Sequence, residues 1–203
     1  MSLNTQTHTE HFTNPLYLES GRILEPYDIT YETYGELNDD KSNVIVVCHA
    51  LTGSHHAAGV YEGEVKAGWW DGFIGSGKAL DTDKYFVICS NVIGSCFGST
   101  GPMSLQHPHH EYYRYKFPVV TIKDMVKAQR ILFDRLDIHR VYAIVGGSMG
   151  GMQALQFAVH YPNFAQKIIA LATTYATQPW AIAFNKVAQE SILKDPEFKQ
   201  GYY

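Results

Sequence analysis

Residues 141–161 place a serine in a glycine-rich turn between a predicted strand and a predicted helix. The apolar run 141–145 leads into Gly-Gly-Ser-Met-Gly at 146–150, and an amphipathic pattern follows from about 149 to 161. The five residues match G-x-S-x-G, which alone is weak evidence because glycine and serine are common. The flanking strand and helix are the context that a nucleophile elbow requires. The segment therefore predicts that Ser148 is a nucleophile.

Glycine is expected on both sides of this serine for steric reasons. The turn forces Ser148 into strained backbone angles and brings the helix against the strand, so a Cβ at Gly146 or Gly150 would collide. The amide of Met149 is left at a helix N-terminus, where partial positive charge stabilises an oxyanion. The second oxyanion donor is expected in the loop after the first central strand, and the amide of Leu51 is the candidate. The predicted catalytic residues are thus Ser148, Leu51 and Met149.

Four short apolar runs alternate with helical patterns after residue 43. They are residues 44–48, 85–89, 141–145 and 167–172. Such alternation indicates a parallel sheet between helices, and continuously apolar runs are typical of strands covered on both faces. Residues 16–35 alternate more loosely, which predicts antiparallel edge strands ahead of the parallel sheet. Together with the elbow, this order predicts the α/β-hydrolase fold, a mostly parallel sheet with flanking helices.

Three helices are predicted beside this sheet. The first covers about 122–136, and Thr121 with Asp124 supplies its N-terminal capping signature. The second is the helix after the elbow, which Pro162 ends. The third covers about 179–193, with its proline in the first turn. The inward face of the second helix is expected to carry Met152, Leu155 and Val159.

Length and charge restrict the kinds of partner. At 203 residues, of which 45% are hydrophobic, the chain is long enough for one substantial core. A net charge of -4 with scattered Lys and Arg gives no basic patch for nucleic acid. No apolar run reaches the roughly 18 residues that span a bilayer, and the polar start lacks a signal-peptide pattern. We therefore expect a cytoplasmic protein that acts on small molecules, with no nucleic-acid or membrane partner.

The three cysteines predict neither a disulfide framework nor a metal site. Cys48 and Cys89 lie in apolar runs, which favours buried and unreactive thiols, and Cys96 lies in a loop. No C-x-x-C pair is present. Without matching carboxylate or cysteine spacing, the histidines of the 107–110 segment indicate a solvated loop. These are His107, His109 and His110, and no metal or other cofactor is predicted.

Three further histidines lie near the candidate oxyanion donor. His49 opens its loop, and His55 and His56 follow shortly after. The general base comes late in the chain in this fold, so a supporting hydrogen-bond role is favoured for all three. An alternative in which His49 or His55 substitutes as the base is weaker but stays open.

Four ordered blocks of sequence carry a family resemblance. They are His-Ala-Leu-Thr-Gly at 49–53, the stretch from Gly77 through Asp83 into 85–92, Gly-Ser-Cys-Phe-Gly-Ser-Thr-Gly-Pro at 94–102, and Gly-Gly-Ser-Met-Gly-Gly-Met-Gln at 146–153. Together they resemble homoserine O-acetyltransferases. The resemblance runs from about residue 15 to the end and covers roughly the first half of a typical family member. Two positions depart from the commoner family sequence: Ser95 replaces a glycine and Met149 replaces a phenylalanine. Neither change alters the reacting atom.

The resemblance implies a ping-pong reaction in methionine synthesis. Ser148 would take the acetyl group from acetyl-CoA, and the hydroxyl of L-homoserine would then remove it. The family also implies a homodimer, formed through lid helices inserted after the strand that ends near residue 172. On this basis the expected domains are an α/β-hydrolase core over 1–176 and the beginning of a helical lid over 177–203.

Close relatives within the family use succinyl-CoA or accept serine, so the donor and acceptor stay open at this point. The nearest rival activity is that of a serine esterase or peptidase, which passes the acyl group to water. A third interpretation is a non-catalytic α/β scaffold that binds a partner.

The family resemblance implies that the triad acid and histidine, and an arginine that holds the homoserine carboxylate, lie beyond residue 203. The only histidine after Ser148 is His160, twelve residues along the same helix and thus roughly 18 Å away. Proton transfer needs about 3 Å. We therefore expect this 203-residue chain, taken alone, not to turn over.

Overall fold

The computed structural model describes residue 3 and residues 5–108 and 111–202, and one six-stranded sheet forms the centre of the fold. The strands are β1 (Thr5–Phe12), β2 (Leu16–Tyr17), β3 (Ile23–Leu24), β4 (Tyr27–Tyr34), β5 (Val44–Cys48), β6 (Phe86–Ser90), β7 (Leu105–Gln106), β8 (Glu111–Tyr112), β9 (Val141–Gly147) and β10 (Ala165–Leu171). The α-helices are α1 (Ile122–Arg135), α2 (Met149–His160) and α3 (Pro179–Leu193), with short 3-10 turns at Arg114–Lys116 and Lys199–Gly201.

The strand order of the main sheet is β1-β4-β6-β5-β9-β10. Strands β6, β5, β9 and β10 are parallel, whereas β4 and β1 continue the sheet in antiparallel pairing. This is the predicted arrangement of a mostly parallel sheet preceded by antiparallel strands. The four parallel strands all end at the same edge, which is where the loops after β5 and β9 emerge.

The central strands form because their side chains are apolar on both faces. All five residues of β5 are buried. One face of the sheet packs against α1 and α2 through an aromatic group of Phe133, Phe157 and Phe164. The opposite face carries a second cluster that includes Ile45, Val47 and Val87. Burial on both faces explains the continuous apolar runs in the sequence.

Helix α1 begins where the capping signature predicts. The Thr121 side chain accepts a hydrogen bond from the Asp124 amide, and the Asp124 carboxylate accepts one from the Thr121 amide at 3.0 Å. Two N–H groups that the helix leaves without partners are thereby satisfied. Helix α3 also has the predicted bounds, with Pro179 in its first turn.

The predicted inward face of α2 is wrong. Val159 is 74% exposed, and Met152 and Leu155 are only partly buried. The buried residues of α2 are Gly150, Gly151, Gln153, Ala154 and Phe157. The first turn of the helix lies close against the sheet and needs small side chains there, so a pattern built only on large apolar residues selects a different face.

The ends of the sheet also differ from the sequence prediction. Strand β1 was not predicted, because its sequence is polar and it forms the outer edge of the sheet. Strand β4 therefore lies inside the sheet, and nearly all of it is buried, instead of forming an edge. At the other end, β10 does not have the fully covered form predicted from its apolar run. Four of its seven residues are exposed, since it is the last strand of the sheet in this chain.

Candidate active site

Ser148 lies between β9 and α2 in a strained turn. Its backbone has φ 54° and ψ -120°, outside the regions that a residue with a Cβ ordinarily occupies. The surrounding chain fixes this conformation, because the Ser148 amide donates to the carbonyl of Leu171 at 3.0 Å and the Thr173 hydroxyl donates to the Ser148 carbonyl at 2.7 Å. The serine is exposed. Strain that the fold maintains at an exposed hydroxyl is typical of a functional site.

The two flanking glycines permit the close contact between helix and sheet. A Cβ on Gly150 would lie 2.0 Å from the carbonyl oxygen of Cys48 at the end of β5. A Cβ on Gly146 would lie 2.3 Å from the backbone of Gly150. The nearest atom to a Cβ on Gly147 would be 3.9 Å away, which is ordinary contact. The steric requirement thus applies to the two positions that the sequence singled out.

The two candidate oxyanion donors lie on adjacent strand ends. Cys48 of β5 pairs in register with Gly146 of β9, so the loop after β5 begins beside the elbow. Met149 is the first residue of α2, and its N–H has no acceptor within the helix. Leu51 lies in a turn that the Gly53 amide closes on Ala50, and among the described residues no hydrogen bond occupies the Leu51 amide. Both assignments stay predictions.

An apolar pocket of about 230 Å³ opens beside these two residues. Leu51 and Met149 both line it, and Leu51 is 77% exposed. The rest of the lining comes from Val92, Ile93, Gly94, Ser95, Phe117, Pro118, Val120 and Met125. A cavity of this lining and size suits the apolar part of a small substrate.

His49 supports the loop and is unsuited to act as a base. It is fully buried, its Nδ1 lies 2.8 Å from the carbonyl of Ala50, and its Nε2 accepts from the amide of Val92 at 3.1 Å. Because Nε2 is an acceptor, Nδ1 carries the proton and donates it. Burial lowers the pKa of His49 below its ordinary value of 6.5. The ring is therefore neutral with both nitrogens engaged.

Two glutamines behind His49 extend the support. Gln153 of α2 donates to the carbonyl of His49 at 3.1 Å and accepts from Gln129 of α1 at 2.7 Å. Both glutamines are buried. The loop after β5 is thus linked to both helices that cover this face of the sheet.

His160 lies at the opposite end of α2 from the serine. Its Nδ1 is 2.5 Å from the side-chain nitrogen of Gln156, and its side chain is exposed. An unbroken helix between Ser148 and His160 supports the separation of roughly 18 Å expected from the sequence.

The cysteines behave as predicted. Cys48 and Cys89 are buried and Cys96 is exposed. Burial raises the pKa of the Cys48 thiol to about 12 and that of Cys89 well above its usual value, so neither forms a thiolate near neutral pH.

His107 lies on an exposed stretch, whereas His109 and His110 fall outside the described residues. Within residues 5–108 and 111–202, no cluster of His, Cys, Asp and Glu has the arrangement of a metal site. No helix in the described part of the chain is long and apolar enough to cross a membrane.

Sequence reasoning missed a buried carboxylate that contacts the loop after β5. We call residues 49–58 of that loop the oxyanion loop. Glu32 of β4 is completely buried. It contacts Tyr34 on the same strand, and it also contacts four side chains that are distant in sequence, namely Thr7, His55, His56 and Tyr61. Only the pairing of β1 with β4 and the return of the loop bring these residues together.

Comparison with known proteins connects this geometry with a family. A model of the alpha/beta hydrolase fold matches residues 43–203, which is most of the chain. The chain belongs to the alpha/beta hydrolase fold family. Its exposed serine after β9, flanked by glycines that contact β5, lies where this fold has its nucleophile.

Three more specific similarities concern proteins with acyl-transfer or ester-cleaving names. A homoserine O-acetyltransferase of Sulfurimonas autotrophica is 90% identical over 203 residues, all of this chain and 55% of that protein. The crystal structure of homoserine O-acetyltransferase from Bacillus anthracis superimposes with a TM-score of 0.90 at 37% identity, covering 98% of this chain and 55% of that one. An acetylester hydrolase from Corynebacterium glutamicum gives 0.84 at 32% identity, covering 98% and 53%. This chain spans about half the length of these relatives.

Proposed function

We propose that the protein containing this chain transfers an acetyl group from acetyl-CoA to the hydroxyl of L-homoserine, through an acetyl ester on Ser148. The observation that carries the proposal is the 90% identity over the whole chain to a homoserine O-acetyltransferase. The strained, exposed Ser148 supplies a nucleophile of the right kind. Methionine synthesis, as the purpose of the reaction, belongs to the same proposal.

The proposed reaction has two halves. In the first, the Ser148 oxygen attacks the thioester carbon, the carbon–sulfur bond breaks, and the serine proton leaves with the CoA thiol. In the second, the homoserine hydroxyl attacks the ester, the bond to Ser148 breaks, and the proton returns to the serine. Each half passes through an oxyanion, which the amides of Leu51 and Met149 would bind. The general base is not assigned to any residue in the described ranges.

A serine esterase is the second candidate. The similarity to an acetylester hydrolase at 32% identity and a TM-score of 0.84 favours it specifically. The esterase would form the same acetyl-Ser148 and pass the acetyl group to water. The two candidates therefore differ only in the acceptor.

The test uses the protein expressed from its complete coding sequence. CoA release from acetyl-CoA is followed with and without L-homoserine, and we expect L-homoserine to accelerate it and O-acetylhomoserine to form. Succinyl-CoA and L-serine, offered in place of the preferred substrates, test the donor and the acceptor. Ser148→Ala is the control, because it removes the attacking oxygen and little volume, and it should show no release. Release of acetate at a rate independent of L-homoserine would favour the esterase instead.

The assembly and location of the protein are also proposals. Helix α3 has no buried residue, and its Trp180, Phe184 and Val187 are exposed, which supports pairing of two copies through the predicted lid over 177–203. The core over 1–176 would then carry the site. Three free cysteines suit a reducing compartment, in line with a cytoplasmic enzyme. The absence of turnover by this chain alone stays a prediction.

A further inference from the structure

We infer that Glu32 is a positioning residue, which fixes the oxyanion loop so that the amide of Leu51 faces the reacting carbonyl. The inference rests on the proposed role of Ser148 and Leu51 in forming an acyl-enzyme. It does not depend on which acceptor then removes the acyl group.

The first step concerns how a charged group is accommodated inside the protein. Glu32 has no exposed surface, and a carboxylate there is costly unless donors surround it. The hydroxyl of Tyr34 donates to it at 2.5 Å, that of Thr7 at 3.0 Å, and that of Tyr61 also donates. Burial raises the pKa of Tyr34, and that of Tyr61 to about 12, so both hydroxyls keep their protons and remain donors.

The second step links this carboxylate to the loop. His56 Nδ1 lies 3.1 Å from one Glu32 oxygen, and His55 Nε2 lies 3.8 Å from the other. The Tyr34 hydroxyl, while donating to Glu32, accepts from the amides of Ala57 and Ala58 at 2.8 and 3.2 Å. Glu32 thus contacts two loop residues directly and two more through the Tyr34 hydroxyl.

The third step is the location of Leu51 between two anchors. At the start of the loop, His49 is bound to the Val92 amide and to Gln153. At its far end, Glu32 and Tyr34 bind residues 55–58. Leu51 lies in the turn between these anchors, with its side chain largely exposed. Loss of the far anchor would therefore allow the turn to shift.

A small shift is sufficient to impair the site. An oxyanion donor acts at about 2.7 to 3.1 Å from the oxyanion, and loss of one donor costs roughly 10²- to 10³-fold in rate. Of the ten residues that line the apolar pocket, only Leu51 belongs to the oxyanion loop, so substrate binding should be much less affected. The effect of removing Glu32 is accordingly expected in the rate of acylation and not in KM.

The experiment compares Glu32→Gln with Glu36→Gln in the full-length protein. Gln retains the size of the side chain but replaces one acceptor oxygen with a donor group, which opposes the surrounding donors. Glu36 is exposed just after the same strand, so its variant is a matched control. The rate of Ser148 acylation by p-nitrophenyl acetate is measured per titrated active site, together with KM and the hydrogen exchange of peptides covering 49–58.

We expect Glu32→Gln to acylate about 10-fold more slowly or worse, with KM within about 2-fold and faster exchange in the oxyanion loop. Glu36→Gln should match the wild type. If Glu32→Gln does not fold, Tyr34→Phe carries the same test, because it removes the hydroxyl between Glu32 and the loop amides.

Two results would overturn the inference. One is an acylation rate per active site within about 2-fold of wild type, since a merely structural residue lowers only the number of active sites. The other is slower acylation with unchanged exchange of residues 49–58. A wild-type protein that is acylated but does not use L-homoserine refutes the proposed transferase and leaves this test intact. A wild-type protein that is not acylated at all refutes both.

Discussion

The backbone of Ser148 shows how a residue can be forced into an unfavourable conformation by its neighbours. A φ of 54° with a ψ of -120° costs of order 1–3 kcal/mol for a residue with a Cβ. The compensating contacts are local and specific: the Ser148 amide bonds to Leu171 and its carbonyl accepts from Thr173. The strain therefore persists only while β10 remains paired with β9, which links the site to the end of the sheet.

The glycines of the elbow give a prediction at the scale of single residues. Gly150→Ala should destabilise the protein by about 3 kcal/mol or more, because the new Cβ would lie 2.0 Å from the Cys48 carbonyl oxygen. Helix propensity alone predicts the opposite sign, a gain of about 1 kcal/mol. Gly147→Ala is the matched control and should change the free energy of unfolding by less than about 0.5 kcal/mol. Urea unfolding measures the free energy of unfolding of both variants. Equal stability of the two would refute the steric explanation.

The contribution of single residues to the site was only partly accessible from the sequence. Ser148, Gly146 and Gly150 lie within five consecutive residues, so a motif identifies them. Glu32 is 24 residues from its partner His56 and 25 from Thr7, and no spacing rule connects them. Such networks depend on strand register, which local patterns do not specify.

At the scale of secondary-structure elements, the sequence predicted the N-terminal cap of α1 correctly but not the buried face of α2. The Thr121 and Asp124 signature is local, and the helix begins where it predicts. The contact face of α2 depends instead on how closely the helix approaches the sheet. Strand β1 illustrates a third case, since an edge strand can be polar throughout and then lacks the alternation that identifies strands.

The α1 cap leads to a prediction about helix stability. The Asp124 carboxylate is buried and accepts from the amides of both Thr121 and Glu19, at 3.0 and 2.9 Å. Asp124→Ala should therefore cost about 2 kcal/mol, more than the roughly 1 kcal/mol expected for loss of an ordinary cap. Asp134→Ala, at an exposed site of the same helix, should cost less than about 0.5 kcal/mol. Thermal or urea unfolding measures the difference, and a loss for Asp124→Ala no larger than for Asp134→Ala would contradict it.

At the scale of the whole molecule, the two edges of the main sheet differ in their exposed side chains. Strand β10 and helix α3 both expose large apolar side chains, including Leu171, Trp180 and Phe184. The opposite end is closed by β1, whose side chains are mostly polar. The β10 edge therefore offers apolar surface for a further element or a second copy to cover, whereas the β1 edge does not.

Buried His49 and partly buried His55 make the stability of the molecule dependent on pH. Burial lowers the pKa of both His49 and His55 below 6.5, so the folded protein keeps them neutral where the unfolded chain takes up protons. The unfolded state then binds more protons as the pH falls through 6.5, and stability decreases in that direction. Above pH 6.5 these rings are neutral in both the folded and the unfolded state, so they no longer lower the stability. The carboxylates with lowered pKa values, such as Asp71, Asp81 and Asp137, act only at lower pH.

We therefore expect the urea midpoint of unfolding to decrease between pH 7.5 and pH 5.5. His55→Gln removes one of the two rings whose pKa is lowered and should make the midpoint less dependent on pH, whatever its effect on stability at pH 7.5. A midpoint that is constant or rises toward pH 5.5, or a His55→Gln slope equal to that of the wild type, would show that these rings are accessible to protons in the folded state. The oxyanion loop would then be open to water, because His49 and His55 both belong to it.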